Sequence, residues 1–276
     1  MSNVRKQFAF AGRRAKMEPM KTLAIANHKG GVGKTATAHA LGEILAHEHH
    51  QRVLLVDIDP QASLTMAAGV EDAAGRCLVE VFGGARPGKT PLAAILRDLG
   101  GGLWLAPSDI TLADTELALG GRLGREIVLQ QMLATVAGDY DLCIIDCPPS
   151  RGLLTINALV AAQGVLIPAQ PTVVDLRALR SFLNSVGQVH DALNKDLEVL
   201  GVLPTFYDSR LGHHALALDE LGRAGVPVFD VRIGRSIRVA EAAATGASVS
   251  SYAPDHPQTE NYRLLAKVVT KWLRKN

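Results

Sequence analysis

The sequence predicts an α/β fold: a doubly wound, mostly parallel sheet with helices on both faces. Short, continuous apolar segments alternate with segments of helical periodicity through most of the 276-residue chain. Continuous apolar character is typical of strands that are buried on both faces of a parallel sheet. Their alternation with helices indicates βαβ units. The composition, 47% hydrophobic and only 4% aromatic, suits a core of aliphatic strands and helices.

The predicted elements follow one another in chain order. The strands have the sequences TLAIAN (22–27), RVLLVDID (52–59), LWLAPSD (103–109), LCIIDCPPS (142–150), GVLIPAQP (164–171) and VLGVLPTFYD (199–208). Helices are predicted over residues 34–49, 125–137, 153–162 and 173–193. The segment at 69–91 is rich in Gly, Ala and Pro, so we expect a loop with one short helical piece at CLVEVF.

Composition and charge limit the location and the partners that we expect. Residues 1–20 form a basic segment, predicted to be a flexible extension, and residues 21–276 form one domain. The extension lacks the apolar stretch of a secretory signal, and no apolar run is long enough to span a bilayer. The three cysteines show no CxxC spacing, which favours a reducing, cytoplasmic location. A formal net charge of +2 does not by itself indicate a nucleic-acid partner.

A glycine-rich loop between the first predicted strand and helix predicts a nucleotide site. Its residues are Lys29, Gly30, Gly31, Val32, Gly33, Lys34, Thr35 and Ala36. Glycines let backbone N–H groups converge on phosphate oxygens at the positive end of the following helix. Lys34 would reach the β- and γ-phosphates of ATP, and the Thr35 hydroxyl would bind Mg²⁺. The strict Walker A pattern fails at its first position, where His28 stands.

The sequence K-G-G-V-G-K-T resembles the deviant Walker A loop of the ParA/MinD family of ATPases. The resemblance implies that Lys29 reaches across a dimer interface to the phosphates of the partner's ATP. A cation delivered in this way offsets negative charge on the transferring phosphoryl group, as an arginine finger does. The alternative is that Lys29 is a solvated loop lysine.

Two further segments resemble the switch motifs of the same family. The sequence VLLVDIDPQASLT is similar to the first switch, which implies that Asp59 lies at the metal and positions the attacking water. Asp57, at the end of the strand, has the alternative role of a loop-end hydrogen-bonding residue. The sequence YDLCIIDCPPS is similar to the Walker B segment and second switch, which implies that Asp146 holds Mg²⁺ through a water.

A third similarity concerns the adenine base. The segment LPTFYDSR corresponds to the family segment that borders the adenine pocket. Phe206, Tyr207 and Asp208 are therefore candidates for contacts with the base. The alternative is that the aromatic residues belong to the core at the end of a strand.

The segment IGRSIRVAEAAATG is similar to a segment of chromosomal ParA proteins, in which Arg235 and Arg238 match two arginines. The chain carries Ala-Glu-Ala-Ala where that segment has Ser-Glu-Ala-Pro, so a chromosomal role does not follow from it. Arg210, after YDS, also matches an arginine of related proteins. These three arginines are the predicted DNA contacts, and the alternative for Arg238 is an ion pair with Glu241 on a solvated helix face.

The resemblance as a whole implies a Mg·ATP-dependent ATPase of the ParA type. Such a protein forms a homodimer with ATP, binds double-stranded DNA without sequence preference at the nucleoid, and positions a plasmid, a chromosomal origin or a protein assembly. A ParB-like adaptor stimulates its hydrolysis. One alternative is a MinD-like, membrane-associated ATPase, because the last 18 residues form an amphipathic helix; packing of that helix on the sheet is favoured over membrane binding. Another alternative is a P-loop ligase or synthetase that acts on a small molecule.

Overall fold

The computed structural model describes residues 19–275, except for the side chains of Val173 and Val174. It confirms the predicted doubly wound architecture, with an eight-stranded sheet in the order β3-β4-β2-β5-β1-β6-β7-β8. The predicted extension at 1–20 lies outside the described residues apart from its last two positions, and its flexibility stays a prediction. Met20 packs against the core directly before the first strand.

The strands agree with the six predicted apolar segments and add two short ones at the edges. In chain order they are β1 (Lys21–Ile25), β2 (Val53–Asp57), β3 (Arg97–Gly100), β4 (Leu103–Ala106), β5 (Leu142–Asp146), β6 (Gly164–Ala169), β7 (Glu198–Tyr207) and β8 (Ile233–Gly234). The added strands are β3 and β8. Strand β3 pairs antiparallel with β4, and the other neighbouring strands are parallel.

The helices cover both faces of the sheet. They are α1 (Lys34–His47), α2 (Ser63–Ala67), α3 (Leu78–Phe82), α4 (Leu112–Leu119), α5 (Val128–Ala134), α6 (Leu153–Ala161), α7 (Val173–Ala192), α8 (Gly212–Arg223), α9 (Ile237–Ala244), α10 (Val249–Tyr252) and α11 (Pro257–Leu273). Leu41 and Ile44 of α1 pack with Leu265 of α11 on one face, whereas Leu154 of α6 and Phe182 of α7 pack on the other.

The helix predicted over residues 125–137 is divided, and a buried amide explains the division. A short 3₁₀ turn at Arg125–Ile127 precedes α5. In a continuous α-helix the N–H of Leu129 would donate to the carbonyl of Arg125. The side chain of Asn157, in α6, takes both positions instead: its oxygen accepts from Leu129 N at 3.0 Å and its nitrogen donates to Arg125 O at 2.7 Å.

The apolar stripe of the amphipathic C-terminal helix is buried against the sheet. Tyr262, Leu265, Val269 and Trp272 of α11 are 6% exposed or less, which leaves its charged face to the solvent. None of the described helices combines the length and the apolar character that crossing a bilayer requires. The packing interpretation of this helix is therefore the one that the structure supports.

Strand register places the loops that carry the predicted site at one edge of the sheet. Asp57 at the end of β2 is level with Asp146 at the end of β5, and Asp146 is in turn level with Ile25 of β1. The loops that follow these three parallel strands therefore leave the sheet side by side, at the edge where doubly wound folds bind their ligands.

The packing of α11 predicts a large difference between two adjacent leucines. Leu265 is fully buried and Leu264 is 41% exposed. Leu265→Ala should lower the free energy of unfolding by about 2–5 kcal/mol, because it leaves a cavity in the core. Leu264→Ala is the matched control and should change it by less than about 1 kcal/mol. Urea denaturation measures both, and equal losses would contradict the packing of this helix on the sheet.

Candidate nucleotide-binding site

The phosphate loop joins β1 to α1 and opens onto a cavity of about 560 Å³. Gly31 and Gly33 have φ angles of 70° and 85°, in the left-handed region that a side chain disfavours. The loop residues that line the cavity are Gly30, Gly31, Gly33, Lys34, Thr35 and Ala36. Lys29 and Val32, the two other predicted members, are not among the lining residues, and Val32 is buried.

Lys34 is held inside the loop by the loop's own backbone. Its side chain is buried, and its ammonium nitrogen donates to the carbonyl oxygen of Lys29 at 3.0 Å. Burial lowers the pKa of Lys34, and the nearby carboxyls of Asp146 and Asp59 act in the opposite direction. A buried cation at the start of a helix is a suitable partner for phosphate, because phosphate oxygens replace the water that the ammonium has lost.

Thr35 and Asp146 form the metal side of the site. The Thr35 hydroxyl donates to one carboxylate oxygen of Asp146 at 2.7 Å. The second oxygen, Oδ1, is buried and has no hydrogen-bond partner among the described residues. Burial, followed by the proximity of Asp57, raises the pKa of Asp146 well above its ordinary value.

This orphaned oxygen beside a hydroxyl fits Mg²⁺. Mg²⁺ takes oxygen ligands and keeps several of its waters, and it binds through one or two side chains together with substrate phosphates. The Thr35 hydroxyl would be a direct ligand, and Asp146 would accept hydrogen bonds from metal-bound water. Within residues 19–275 no group of three or more acidic, His or Cys side chains could hold a metal by itself. When bound, the ion supplies positive charge against the phosphate oxygens.

The two aspartates after β2 have different surroundings. Asp57 is fully buried and accepts hydrogen bonds from the backbone and hydroxyl of Thr65, both at 2.8 Å, and from the backbone of Asp59 at 3.1 Å. Burial raises the pKa of Asp57 to about 7. Asp59 lines the cavity, and its carboxylate also accepts from the backbone of Gln61 at 2.9 Å. Asp57 thus organises the loop, as its alternative interpretation expects, and Asp59 faces the ligand space.

Only one of the three predicted base contacts reaches the cavity. Phe206 lines it, with a left-handed φ of 50° at the end of β7. Tyr207 is turned away, where the guanidinium of Arg232 lies 4.5 Å from its ring and donates to its hydroxyl at 2.8 Å. Asp208 pairs with Arg210 at 2.7 Å. Neither Tyr207 nor Asp208 is among the lining residues.

Several other residues that line the cavity were not predicted from the sequence. They are Gly234, Ser236 and Val239 around the start of α9, and His39 of α1. The first three belong to the segment that the sequence analysis assigned to DNA. The signal for His39 was a polar residue in an otherwise apolar part of α1. Burial lowers the pKa of His39 to about 4, so its imidazole is neutral at pH 7.

Lys29 lies beside the cavity and is engaged within its own subunit. Its side chain is 38% exposed and forms an ion pair with Asp175, in the first turn of α7. Its backbone N–H donates to the side chain of Asn27 at 3.1 Å. The loop lysine is thus neither fully solvated nor directed at the phosphates of its own site.

Two of the three predicted DNA contacts are paired with carboxylates. Arg238 pairs with Glu241 at 2.9 Å, which is the contact that its alternative interpretation predicts. Arg210 pairs with Asp208, and its side chain is 87% exposed. The guanidinium of Arg235 lies 5.7 Å from the ring of Phe206, next to the nucleotide cavity. All three arginines are exposed.

The burial of His39 predicts a pH-dependent stability. Its pKa in the folded protein, about 4, is below the unfolded value of 6.5. The unfolded chain therefore binds the proton first, and stability that is present above pH 6.5 is lost as the pH falls towards 4. Between pH 7.5 and pH 5 this loss amounts to about 2 kcal/mol for the nucleotide-free protein.

Urea unfolding at the two pH values measures this effect. His39→Gln should show a smaller loss than the wild type by that amount. The exposed His213 provides the control His213→Gln, which should retain the wild-type difference. A wild-type pH response in His39→Gln would contradict the neutral, buried imidazole.

Known proteins resemble this chain over most of its length. A family model described as an AAA domain matches residues 20–199. The sporulation initiation inhibitor protein Soj of Bacillus subtilis is 39% identical over 251 residues, which cover 90% of this chain and 98% of Soj. The chromosome partitioning protein ParA of Caulobacter vibrioides is 37% identical over 255 residues, or 91% of this chain and 94% of that protein.

A solved structure gives the same fold with ligands in place. It is the crystal structure of cobyrinic acid a,c-diamide synthase from Mycobacterium smegmatis with a bound ATP analog and magnesium. It has a TM-score of 0.82 and 36% sequence identity, over 93% of this chain and 96% of that chain. Together with the loop, the Thr35–Asp146 pair and the cavity, these similarities show that the chain belongs to the Soj/ParA-like family of P-loop ATPases, with ATP and Mg²⁺ as its ligands.

Proposed function

We propose that this ATPase is a ParA-type switch that dimerises around ATP, binds DNA in that state, and positions or segregates a cargo. The observation that carries the proposal is the second lysine of the loop. Lys34 already supplies a buried ammonium to the phosphate cradle, whereas Lys29 lies outside the cavity. A lysine whose ammonium lies outside its own phosphate cradle suits a role at the phosphates of a partner.

The residues of the cavity suit hydrolysis by such a dimer. Asp59 offers a carboxylate on the cavity wall that can accept a hydrogen bond from a water and align it with the γ-phosphate. Lys29 of one subunit supplies a cation to the phosphates of the other. Each site is then complete only in the dimer. Hydrolysis of the bound ATP returns the dimer to monomers.

DNA binding follows from the exposed arginines on and near α9. A planar guanidinium can donate two parallel hydrogen bonds to a phosphate. The ion pairs of Arg238 and Arg210 are exposed, and exposed pairs contribute only about 0–1 kcal/mol. A DNA phosphate therefore displaces the carboxylates at little cost. Two copies of this surface in a dimer double the number of phosphates engaged, which accounts for binding in the ATP state and for a nucleoid-associated, cytoplasmic location.

For the cargo and the stimulating partner we propose a class of molecule and not an individual one. The names of the relatives Soj and ParA support chromosome or plasmid partition, with a ParB-like adaptor that stimulates hydrolysis. A positioned protein assembly is the other cargo class. The MinD-like alternative finds no support in α11, because its apolar stripe is already buried.

A ligase that acts on a small molecule is a second candidate function, and one observation favours it. The solved structure of 36% identity is named as cobyrinic acid a,c-diamide synthase. Outside the phosphate loop, however, the cavity wall carries no lysine or arginine that could pair with an acidic substrate among its described lining residues. ATP turnover that rises with duplex DNA and needs no small-molecule acceptor would separate the two functions in favour of the switch.

Mixing two inactive variants tests the role of Lys29 in trans. Lys29→Ala and Asp59→Ala should each lose about 10²-fold or more in ATP turnover, because a trans cation or a positioning carboxylate is missing. In a mixed dimer, the site of the Lys29→Ala subunit keeps its own Asp59 and receives Lys29 from the partner. An equimolar mixture should therefore recover about a quarter of the wild-type turnover, since half of the dimers are mixed and each has one complete site.

Sedimentation with a non-hydrolysable ATP analogue shows whether the mixture dimerises, and turnover shows whether it complements. If Lys29 acts within its own subunit, every site of the mixture lacks one residue and no activity returns. That result, or wild-type turnover by a monomeric Lys29→Ala variant, would contradict the proposed switch.

The DNA surface predicts a change in the salt dependence of binding. With ATP, the wild type should bind two unrelated duplexes equally, and Arg238→Ala should flatten the slope of log K against log salt by roughly 0.9 for each DNA phosphate that the arginine neutralises. Arg180→Ala is the matched control, because Arg180 is also exposed and paired with a glutamate but lies on α7, on the opposite face of the sheet. Equal slopes for wild type and Arg238→Ala would contradict this surface.

A further inference from the structure

The ion pair between Lys29 and Asp175 joins the phosphate loop to the start of α7. Asp175 is the better fixed of the two partners, because its side chain is only 3% exposed and that of Lys29 is 38% exposed. The two residues are 146 positions apart in the chain. This contact therefore restrains a partly exposed loop lysine against a fixed point of the fold.

Hydrogen bonds within the first turn of α7 hold the Asp175 carboxylate in place. Its second oxygen accepts from the hydroxyl of Thr172 at 2.7 Å, and its backbone N–H donates to the same hydroxyl at 3.3 Å. The positive end of the helix also stabilises a carboxylate at this position. A buried carboxylate without a cation is unfavourable, so Lys29 compensates a charge that cannot move away.

The backbone of Lys29 is linked to the lysine that binds phosphate. The carbonyl oxygen of Lys29 accepts a hydrogen bond from the ammonium of Lys34 at 3.0 Å. Phosphate oxygens are stronger acceptors for an ammonium than a carbonyl is, because they are charged. A nucleotide that takes the ammonium of Lys34 therefore removes one of the interactions that keep Lys29 in its present position; the ion pair with Asp175 and the backbone bond to Asn27 remain.

We propose that Asp175 is a positioning residue that holds Lys29 within its own subunit until ATP is bound. Occupancy of the loop withdraws Lys34 from the carbonyl of Lys29, and the phosphates of a partner's ATP then outcompete a single carboxylate for the released ammonium. Asp175 thereby sets how strictly dimerisation depends on nucleotide. This inference rests on the proposed role of Lys29 in trans.

The variant Asp175→Asn tests the restraint directly. The amide keeps the size of the side chain and can still accept from Thr172, but it removes the charge that holds Lys29. With a non-hydrolysable ATP analogue below saturation, the dimer dissociation constant should fall about tenfold. The dimer no longer has to break two Lys29–Asp175 ion pairs, one per subunit, and each is expected to weaken dimerisation about threefold. Analytical ultracentrifugation over a protein concentration series measures this shift.

Three controls separate positioning from a general effect on folding. Asp175→Glu restores the charge and should return the dissociation constant towards the wild-type value. Glu220→Gln removes the exposed pair with Arg180, further along α7, and should change nothing. Binding of a fluorescent ATP analogue to each variant monomer should stay within about twofold of the wild type, as expected when the phosphate cradle is intact.

The outcomes distinguish this inference from the proposed function. In the double variant Lys29→Ala/Asp175→Asn the gain in dimerisation should disappear, because there is no lysine to release. If Asp175→Asn weakens dimerisation, or leaves it unchanged while Lys29→Ala and Asp59→Ala still complement each other, the restraint is wrong and the switch stands. If the two variants fail to complement, the proposed function fails and this inference fails with it.

Discussion

The parallel pairing of β2, β5 and β1 determines where the functional side chains of this ATPase lie. Because Asp57, Asp146 and Ile25 are level in register, the loops that follow β2, β5 and β1 leave the same edge of the sheet side by side. The bond from Thr35 to Asp146 then connects the first turn of α1 to the end of β5. A shift of one residue in either strand would turn its carboxylate to the other face of the sheet and break this arrangement.

The same arrangement concentrates acidic groups in a buried region. Asp57, Asp59 and Asp146 are close enough to influence one another electrostatically, and the buried ammonium of Lys34 interacts with Asp59 and Asp146. Burial raises the pKa of Asp57 and of Asp146, because a charged carboxylate loses its hydration there. Mg²⁺ with its waters would add positive charge beside the unpaired oxygen of Asp146, where it would also contact the phosphates.

Sequence patterns predicted the fold and the phosphate cradle because these depend on local order. Continuous apolar segments identified six strands, and the loop residues follow one another directly. What escaped prediction depends on contacts between distant segments. The Asn157 amide that divides the helix before α5 and the pairing of Lys29 with Asp175 have no signature along the chain. His39 is recognisable only as a polar residue in an apolar part of α1, which does not reveal that it lines the cavity. Strand β3 was missed because its sequence, RDLG, is mostly polar and lies at an antiparallel edge.

The proposed exchange of partners by Lys29 would let a small loop act as a switch. A lysine that extended freely into solvent would be available to a second subunit at all times. Its position would not depend on whether a nucleotide is bound. A lysine that is held by Asp175, with its carbonyl bound to the ammonium of Lys34, has a position that depends on what Lys34 binds. Lys29 takes part in both contacts, which couples the ion pair with Asp175 to the hydrogen bond from Lys34. Nucleotide binding at Lys34 could then change how Lys29 meets a second subunit without any large movement of the sheet.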